Sequence, residues 1–220
     1  MRIAFGRALL ALLVCVGPAS AEELAVRFEA GVRVGIGLPV GNIAGATQTA
    51  AAASLGDWVS WTAPIQIDAG ARIGPVFVGG FGSYAFGKGG SALENANTRS
   101  AGDARVGFEV LWHFAPDGKL DPWAGLGVGY EWLTLNATVG TASASVTVRG
   151  FEFVNAQAGI DFPLGHPFRI GPFVQATLSQ YTSGSGELTT PKGTVPGDGD
   201  IQSKALHSWI SVGLRFALVL

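Results

Sequence analysis

The 220-residue chain carries 14 lysines and arginines against 16 acidic residues, so no basic surface invites nucleic acid. One cysteine rules out a disulfide-stapled domain, and 14% charged residues is sparse for a surface bathed in water. Mean hydropathy is nevertheless positive, and beyond the first 21 residues no apolar run approaches the roughly 20 residues of a membrane helix, a combination that suits strands crossing a bilayer.

Met1–Ala21 has Arg2 and Arg7, an apolar run Ala8–Val16 and the small-x-small ending Ala19-Ser20-Ala21 before Glu22. This is the pattern of a secretory signal peptide, residues 1–21, leaving residues 22–220 as one domain. Cys15 lies inside it and follows Val14, where a lipoprotein signal needs a small residue, so the mature chain is expected to hold no thiol.

The rest separates into period-2 segments, the mark of β-strands. In the first, Ala25–Leu38, Phe28, Ala30, Val32, Val34, Ile36 and Leu38 alternate with Arg27, Glu29, Gly31, Arg33, Gly35 and Gly37. A long segment, Val40–Asp57, follows; its Ala50–Ala53 run is a candidate short helix, though no charge supports it. The second strand, Ser60–Arg72, sets Trp61, Ile65 and Ile67 against Gln66, Asp68 and Arg72, with Pro64 expected to mark a bulge. After Ile73-Gly74-Pro75 the third, Val76–Gly87, leaves its facing open, because Phe77 and Phe81 oppose Val78, Tyr84 and Phe86. A polar loop, Lys88–Gly102, leads to the fourth, Asp103–Phe114, where Ala104, Val106, Phe108, Val110, Trp112 and Phe114 oppose Arg105, Gly107, Glu109, Leu111 and His113.

A turn at Ala115–Asp121 precedes the fifth strand, Pro122–Leu133, in which Leu126, Val128, Tyr130 and Trp132 oppose three glycines and Glu131. Thr134–Arg149 reads as a loop. In the sixth strand, Glu152–Phe162, Val154, Ala156, Ala158, Ile160 and Phe162 face away from Asn155, Gln157 and Asp161, and Glu152 has the parity of the apolar face, so it is expected above the hydrocarbon. The seventh, Phe168–Tyr181, opposes Val174, Ala176 and Leu178 to Phe173, Gln175 and Thr177; Thr182–Ser203 reads as a loop. The last, within Lys204–Leu218, sets Leu206, Ile210, Val212, Leu214, Phe216 and Leu218 against His207, Trp209, Ser211, Gly213 and Arg215.

Eight strands of near-spanning length, joined by alternating long and short connections, predict an all-β fold: an eight-stranded antiparallel transmembrane β-barrel. A soluble barrel of the lipocalin kind would put the apolar face inside. Here the other face carries glycines and long charged side chains, which find partners only across a lumen. Arg27, Glu29, Arg33, Asp68, Arg72, Arg105, Glu109, Glu131, Asp161 and Arg215 are therefore expected to form a lumen charge network in near balance. Strand position puts Arg105 and Glu131 near the long-loop end, Arg33 and Glu109 near the middle, and Arg27, Arg72, Asp161 and Arg215 near the short turns. Trp61, Tyr130 and Trp132 on one side and Trp112 on the other suggest two aromatic girdles. The tetrapeptide Arg-Ile-Gly-Pro occurs at Arg72–Pro75 and again at Arg169–Pro172, both beside short connections.

The signal peptide, the eight alternating strands and the ending SVGLRFAL resemble small Gram-negative outer-membrane barrels of the OmpA/OmpX type, and also OmpW-like barrels. In such barrels a polar residue, a glycine and two spaced hydrophobic residues form an assembly signal, here Ser211, Gly213, Phe216 and Leu218; the usual terminal aromatic residue is replaced by Val219-Leu220. The resemblance implies outer-membrane location, periplasmic termini, contact with outer-membrane lipids and lipopolysaccharide, and recognition by the barrel-assembly machinery. A structural or surface-interaction role ranks first, a small-molecule channel second and a lipid-modifying barrel enzyme third. The barrel is expected to stand without a peptidoglycan-binding domain, and no loop motif names an extracellular partner.

Signals for chemistry are few. A barrel deacylase resembles a serine hydrolase with histidine and serine two apart on one face, whereas His207 and Ser208 are adjacent and face opposite ways. His113 points inward near a turn and His166 sits in one, without metal-ligand spacing. Asp198-Gly199-Asp200 reads as a solvated turn, not a calcium loop. Neither an enzyme nor a cofactor is expected.

Overall fold

A computed structural model describes residues 26–220; the expected signal peptide, residues 1–21, and Cys15 within it lie outside the described residues. The strands are β1 (Val26–Ala44), β2 (Ala53–Ser54), β3 (Val59–Ile73), β4 (Val76–Gly89), β5 (Thr98–His113), β6 (Asp121–Val139), β7 (Ala142–Gly165), β8 (Phe168–Thr190), β9 (Gly193–Asp200) and β10 (Leu206–Val219), with one four-residue helix, α1 (Leu55–Trp58). Antiparallel pairing runs β10-β1-β3-β4-β5-β6-β7-β8, and β8 pairs back to β10, closing a ring of eight strands. Closure satisfies every edge, the condition for a sheet to stand in hydrocarbon. β2 pairs with the upper end of β1, and β9 extends β8 as a hairpin outside the ring.

The barrel is inverted relative to a soluble one. Phe28, Ile36, Ile67, Phe108, Leu126 and Val212 stand exposed on the outer wall, while Glu29, Arg33, Asp68, Glu109 and Arg215 are buried within. Strand three of the ring is no longer ambiguous: in β4, Phe77 and Phe81 are buried inward and Val78, Tyr84 and Phe86 face out. The deciding feature lies on the neighbouring strands. Gly107 sits opposite Phe81 and Gly129 opposite Gly107, leaving a bare stretch of inner wall, and a Cβ at Gly107 would come within 2.6 Å of the Phe81 ring.

Three expectations need correction. The Ala50–Ala53 run is not a helix; the helical turn starts at Leu55, whose side chain is fully buried and anchors it. Pro64 makes no bulge, for it pairs with Ala85 of β4; the ladder toward β1 instead skips Ala63 and Pro64, as the missing N–H requires. The segments 134–149 and 182–203 are mostly strand. β6 and β7 continue past the barrel to a two-residue turn at Gly140 (φ +58°), and β8 and β9 form a second hairpin. Thr and Ser suited a loop by composition, but β-branched Thr and Val in alternation pair as well as any strand.

Within these projecting strands the inside-out pattern reverses. Below Trp132, β6 shows Leu126, Val128 and Tyr130 outward; above it Thr134 and Asn136 face out, and Leu133 and Leu135 are buried inward. Thr134 pairs through its hydroxyl with Thr147 at 2.9 Å on the outer face. The side-chain chemistry thus marks where hydrocarbon gives way to water. Trp132, Tyr130 and Phe151 pack together at this level, with ring centroids 4.7 and 5.1 Å apart, and Tyr84 and Phe86 do so at 5.0 Å. Trp61 is exposed at the same end and Trp112 at the other.

Candidate functional site in the barrel lumen

The inward face of the barrel fills the lumen in layers. Nearest the short turns, Glu29 accepts from Arg72 at 3.1 Å and from Arg215 at 2.6 Å, and Arg215 also pairs with Asp161. Asp121 receives Arg72 at 3.0 Å, Arg169 at 3.1 Å and the His113 ring at 2.8 Å. Phe77, Leu111, Trp123 and Phe173 form an apolar layer beside this cluster. The indole N–H of Trp123 donates to Asp161 at 3.1 Å, while Arg33 and Arg215 lie over its ring, 5.4 and 5.2 Å from the centroid.

The middle layer is organised by Arg33. Its guanidinium meets Glu109 at 2.8 Å and Asp68 at 3.2 Å and donates to Gln157, which in turn donates to Glu109 at 2.8 Å. Gln175 donates to Asn155 at 2.8 Å one strand further round. Toward the long-loop end, Arg105 pairs with Asp103 at 3.0 Å and Glu152 at 3.5 Å. Glu131 sits opposite Arg105 in register, but its oxygens go to Tyr181, to the Trp209 indole at 2.8 Å and to His207 at 3.1 Å. Above this cluster lies an apolar cap of Ile43, Leu55, Val59, Leu133, Leu135 and Val148.

Of the ten residues expected in the lumen, nine are buried there; Arg27 is not. It has inward parity, yet β1 enters the barrel only at its level, so the side chain is 50% exposed and meets exposed Asp117 at 3.5 Å. Glu152 also departs from expectation. A bulge at Phe153, where Phe153 and Val154 together lie against Val128 of β6, resets the alternation; Phe151, Phe153 and Val154 all face out and Glu152 turns inward, 1% exposed. Asp103 and Asp121 were missed because each sits at the first residue of an expected strand or one before it; counting parity one step further places both inside.

These changes overturn the expected balance. Glu29, Asp68, Asp103, Glu109, Asp121, Glu131, Glu152 and Asp161 face Arg33, Arg72, Arg105, Arg169 and Arg215, so carboxylates outnumber guanidiniums. The surplus lies mainly at the long-loop end, where Arg105 is shared by Asp103 and Glu152 and Glu131 is held by Tyr181, Trp209 and His207 without a guanidinium. Among the described residues no group of three or more His, Cys, Asp or Glu side chains is placed to hold a metal ion. His207 is buried and Ser208 faces away from it, while Asp198 and Asp200 lie exposed on β9. The terminal residues Ser211 and Gly213 face in and Phe216 faces out; Gly213 lies against Gly35 across the β1–β10 seam, where a Cβ would stand 2.7 Å from the Gly35 Cα.

No protein-family model and no curated relative matches the chain. Among solved structures, a major outer membrane protein from Thermus thermophilus is 10% identical with a TM-score of 0.60, over 89% of this chain and 100% of that one. The outer membrane protein AlkL is 16% identical with a TM-score of 0.48, over 93% and 95%. Neisserial surface protein A is 10% identical with a TM-score of 0.43, over 86% and 95%. At 10% identity the likeness to the Thermus protein, whose TM-score is above 0.5, speaks for fold alone, and with the closed ring of eight strands that fold is an outer-membrane type of β-barrel.

Proposed function

We propose that this chain is a structural or surface-interaction barrel of the outer membrane, not an enzyme, with a lumen that does not conduct. The carrying observation is that the inward side chains form continuous layers from the Glu29–Asp121 cluster through Arg33 to the apolar cap over Glu131. Ion pairs of this kind hold because removing either partner strands a buried charge. In this reading both termini and the short turns lie in the periplasm, after cleavage behind Ala21, and β6–β9 project from the cell. Outer-membrane lipids and lipopolysaccharide surround the apolar band, and Ser211, Gly213, Phe216 and Leu218 are read by the barrel-assembly machinery.

The projecting sheet is the working surface of this proposal. Its outer face is a field of hydroxyls and amides, among them Thr134, Asn136, Thr147 and Thr189, suited to hydrogen bonding with a polar partner. The edge strand β9 carries Pro196, Asp198 and Asp200, which blunt strand-to-strand association. Planar-bilayer recording tests the sealed lumen: purified wild type is expected to give no steady conductance. A stable ohmic channel, unchanged in Glu109→Ala, would overturn the reading in favour of a small-molecule channel.

A further inference from the structure

A cavity of about 500 Å³ opens at the short-turn mouth, below the paired layers of the lumen. Its polar lining side chains are Arg27, Arg72, Arg169 and His166, with Asp117 the one acidic side chain among them; Phe168, Val219 and Leu220 supply an apolar wall. Its size falls within the range of small-molecule sites. Arg72 and Arg169 are the first residues of the two Arg-Ile-Gly-Pro repeats. One repeat ends β3 as the chain leaves the barrel and the other begins β8 as it re-enters, so the same tetrapeptide brings two guanidiniums to one mouth.

Both arginines, together with His113, converge on a single oxygen, Oδ2 of Asp121, at 3.0, 3.1 and 2.8 Å. One carboxylate oxygen cannot match three such donors. Among the described residues Nε of Arg72 is buried without a hydrogen-bond partner, and Arg27 meets the solvent-exposed Asp117 at 3.5 Å. Arg72 also donates to Glu29 at 3.1 Å and Arg169 to the Pro116 carbonyl, so the charge of the cavity comes from its lining side chains, three guanidiniums against the single side-chain carboxylate of Asp117.

We propose that this cavity binds a phosphate group, specifically that of an anionic phospholipid headgroup. Phosphate offers several acceptor oxygens at one point and matches the fork geometry of arginine. The choice of a lipid over free phosphate comes from the apolar wall. Phe168 and Leu220 are 57% and 60% exposed, so the wall continues onto the outer surface and gives acyl chains a path out of the site. The inference rests on the membrane-barrel fold and not on the sealed lumen or on which leaflet meets the short turns.

The test is native mass spectrometry of the full chain released from micelles that contain equal phosphatidylglycerol and phosphatidylethanolamine, with the heat-dependent gel shift confirming that each variant is folded. Wild type is expected to retain phosphatidylglycerol over phosphatidylethanolamine by about tenfold, the ratio given by one good charge contact. Arg27→Glu should abolish that preference and Arg27→Gln reduce it, while Lys119→Glu, at the same end but outside the cavity, should keep it. Millimolar inorganic phosphate should not displace the lipid. Equal retention of the two lipids by wild type, or an unchanged preference in Arg27→Glu, would overturn the proposal. Displacement by inorganic phosphate would make free phosphate the ligand and overturn the lipid assignment. A conducting lumen in bilayers would refute the function proposed above and leave this result untouched.

Discussion

The same strands obey opposite rules on the two sides of the aromatic level at Trp132. In the band below it, β6 turns Leu126, Val128 and Tyr130 outward and keeps Glu131 inside, whereas in the projecting part Thr134 and Asn136 face out and Leu133 and Leu135 are buried. Backbone pairing does not change across this level; β6 stays in register with β5 from His113 up to Thr98. The difference teaches that the surrounding solvent, not the sheet, decides which face of a strand is polar. Hydrocarbon outside forces charge into the lumen, where it must be paired, and water outside lets the interior become an ordinary apolar core.

The comparison breaks most completely at the seam. Phe216 faces hydrocarbon within the terminal assembly signal, and Phe216→Asp removes both the recognised residue and the apolar contact. Loss of the heat-shifted outer-membrane species is expected, and normal accumulation of that species would refute the assignment. Next comes the buried network: Arg33→Ala leaves Glu109 without its guanidinium and Asp68 with Arg215 alone, 3.7 Å away, at a cost of about 3–5 kcal/mol. Urea unfolding in lipid vesicles reads this directly, and a change below about 1 kcal/mol would show that water already screens those carboxylates.

Paired substitutions on one strand sharpen the contrast further. Val128→Arg places a cation on the lipid face and should cost about 2–4 kcal/mol. Thr134→Arg, on the same outer face but six residues higher, should fall within about 0.5 kcal/mol of wild type. Equal costs would move the membrane boundary away from Trp132. The smallest expected effect is at the bulge: deleting Phe153 leaves Phe151 and Val154 outward and Glu152 and Asn155 inward in strict alternation, so the urea midpoint should stay close to wild type with insertion retained. A large loss would mean that the shortened strand slips its register and carries Glu152 away from Arg105.

Period-2 patterning, and with it the eight strands, the inverted faces and the mid-barrel depth of Arg33 and Glu109, was open to reading in the sequence alone. Each of these follows from local geometry: a strand side chain can point only two ways, and lysine and arginine on the lipid side are costly. The inward place of Glu152 was not legible, because a single inserted residue, Phe153, inverts every parity count beyond it and leaves no mark in composition. Nor was the facing of Phe77 and Phe81, which depended on Gly107 and Gly129 lying opposite them on other strands. Arg27 was read into the lumen because parity counts residues but does not say where the barrel ends. The long-loop segments escaped for the opposite reason, since Ser, Thr and Gly permit both loop and strand and only the pairing of β6 with β7 and β8 with β9 selected the latter. What the sequence determined was the alternation and hence the barrel; what tertiary structure decided was register, where a one-residue step moves a charge between lipid and lumen.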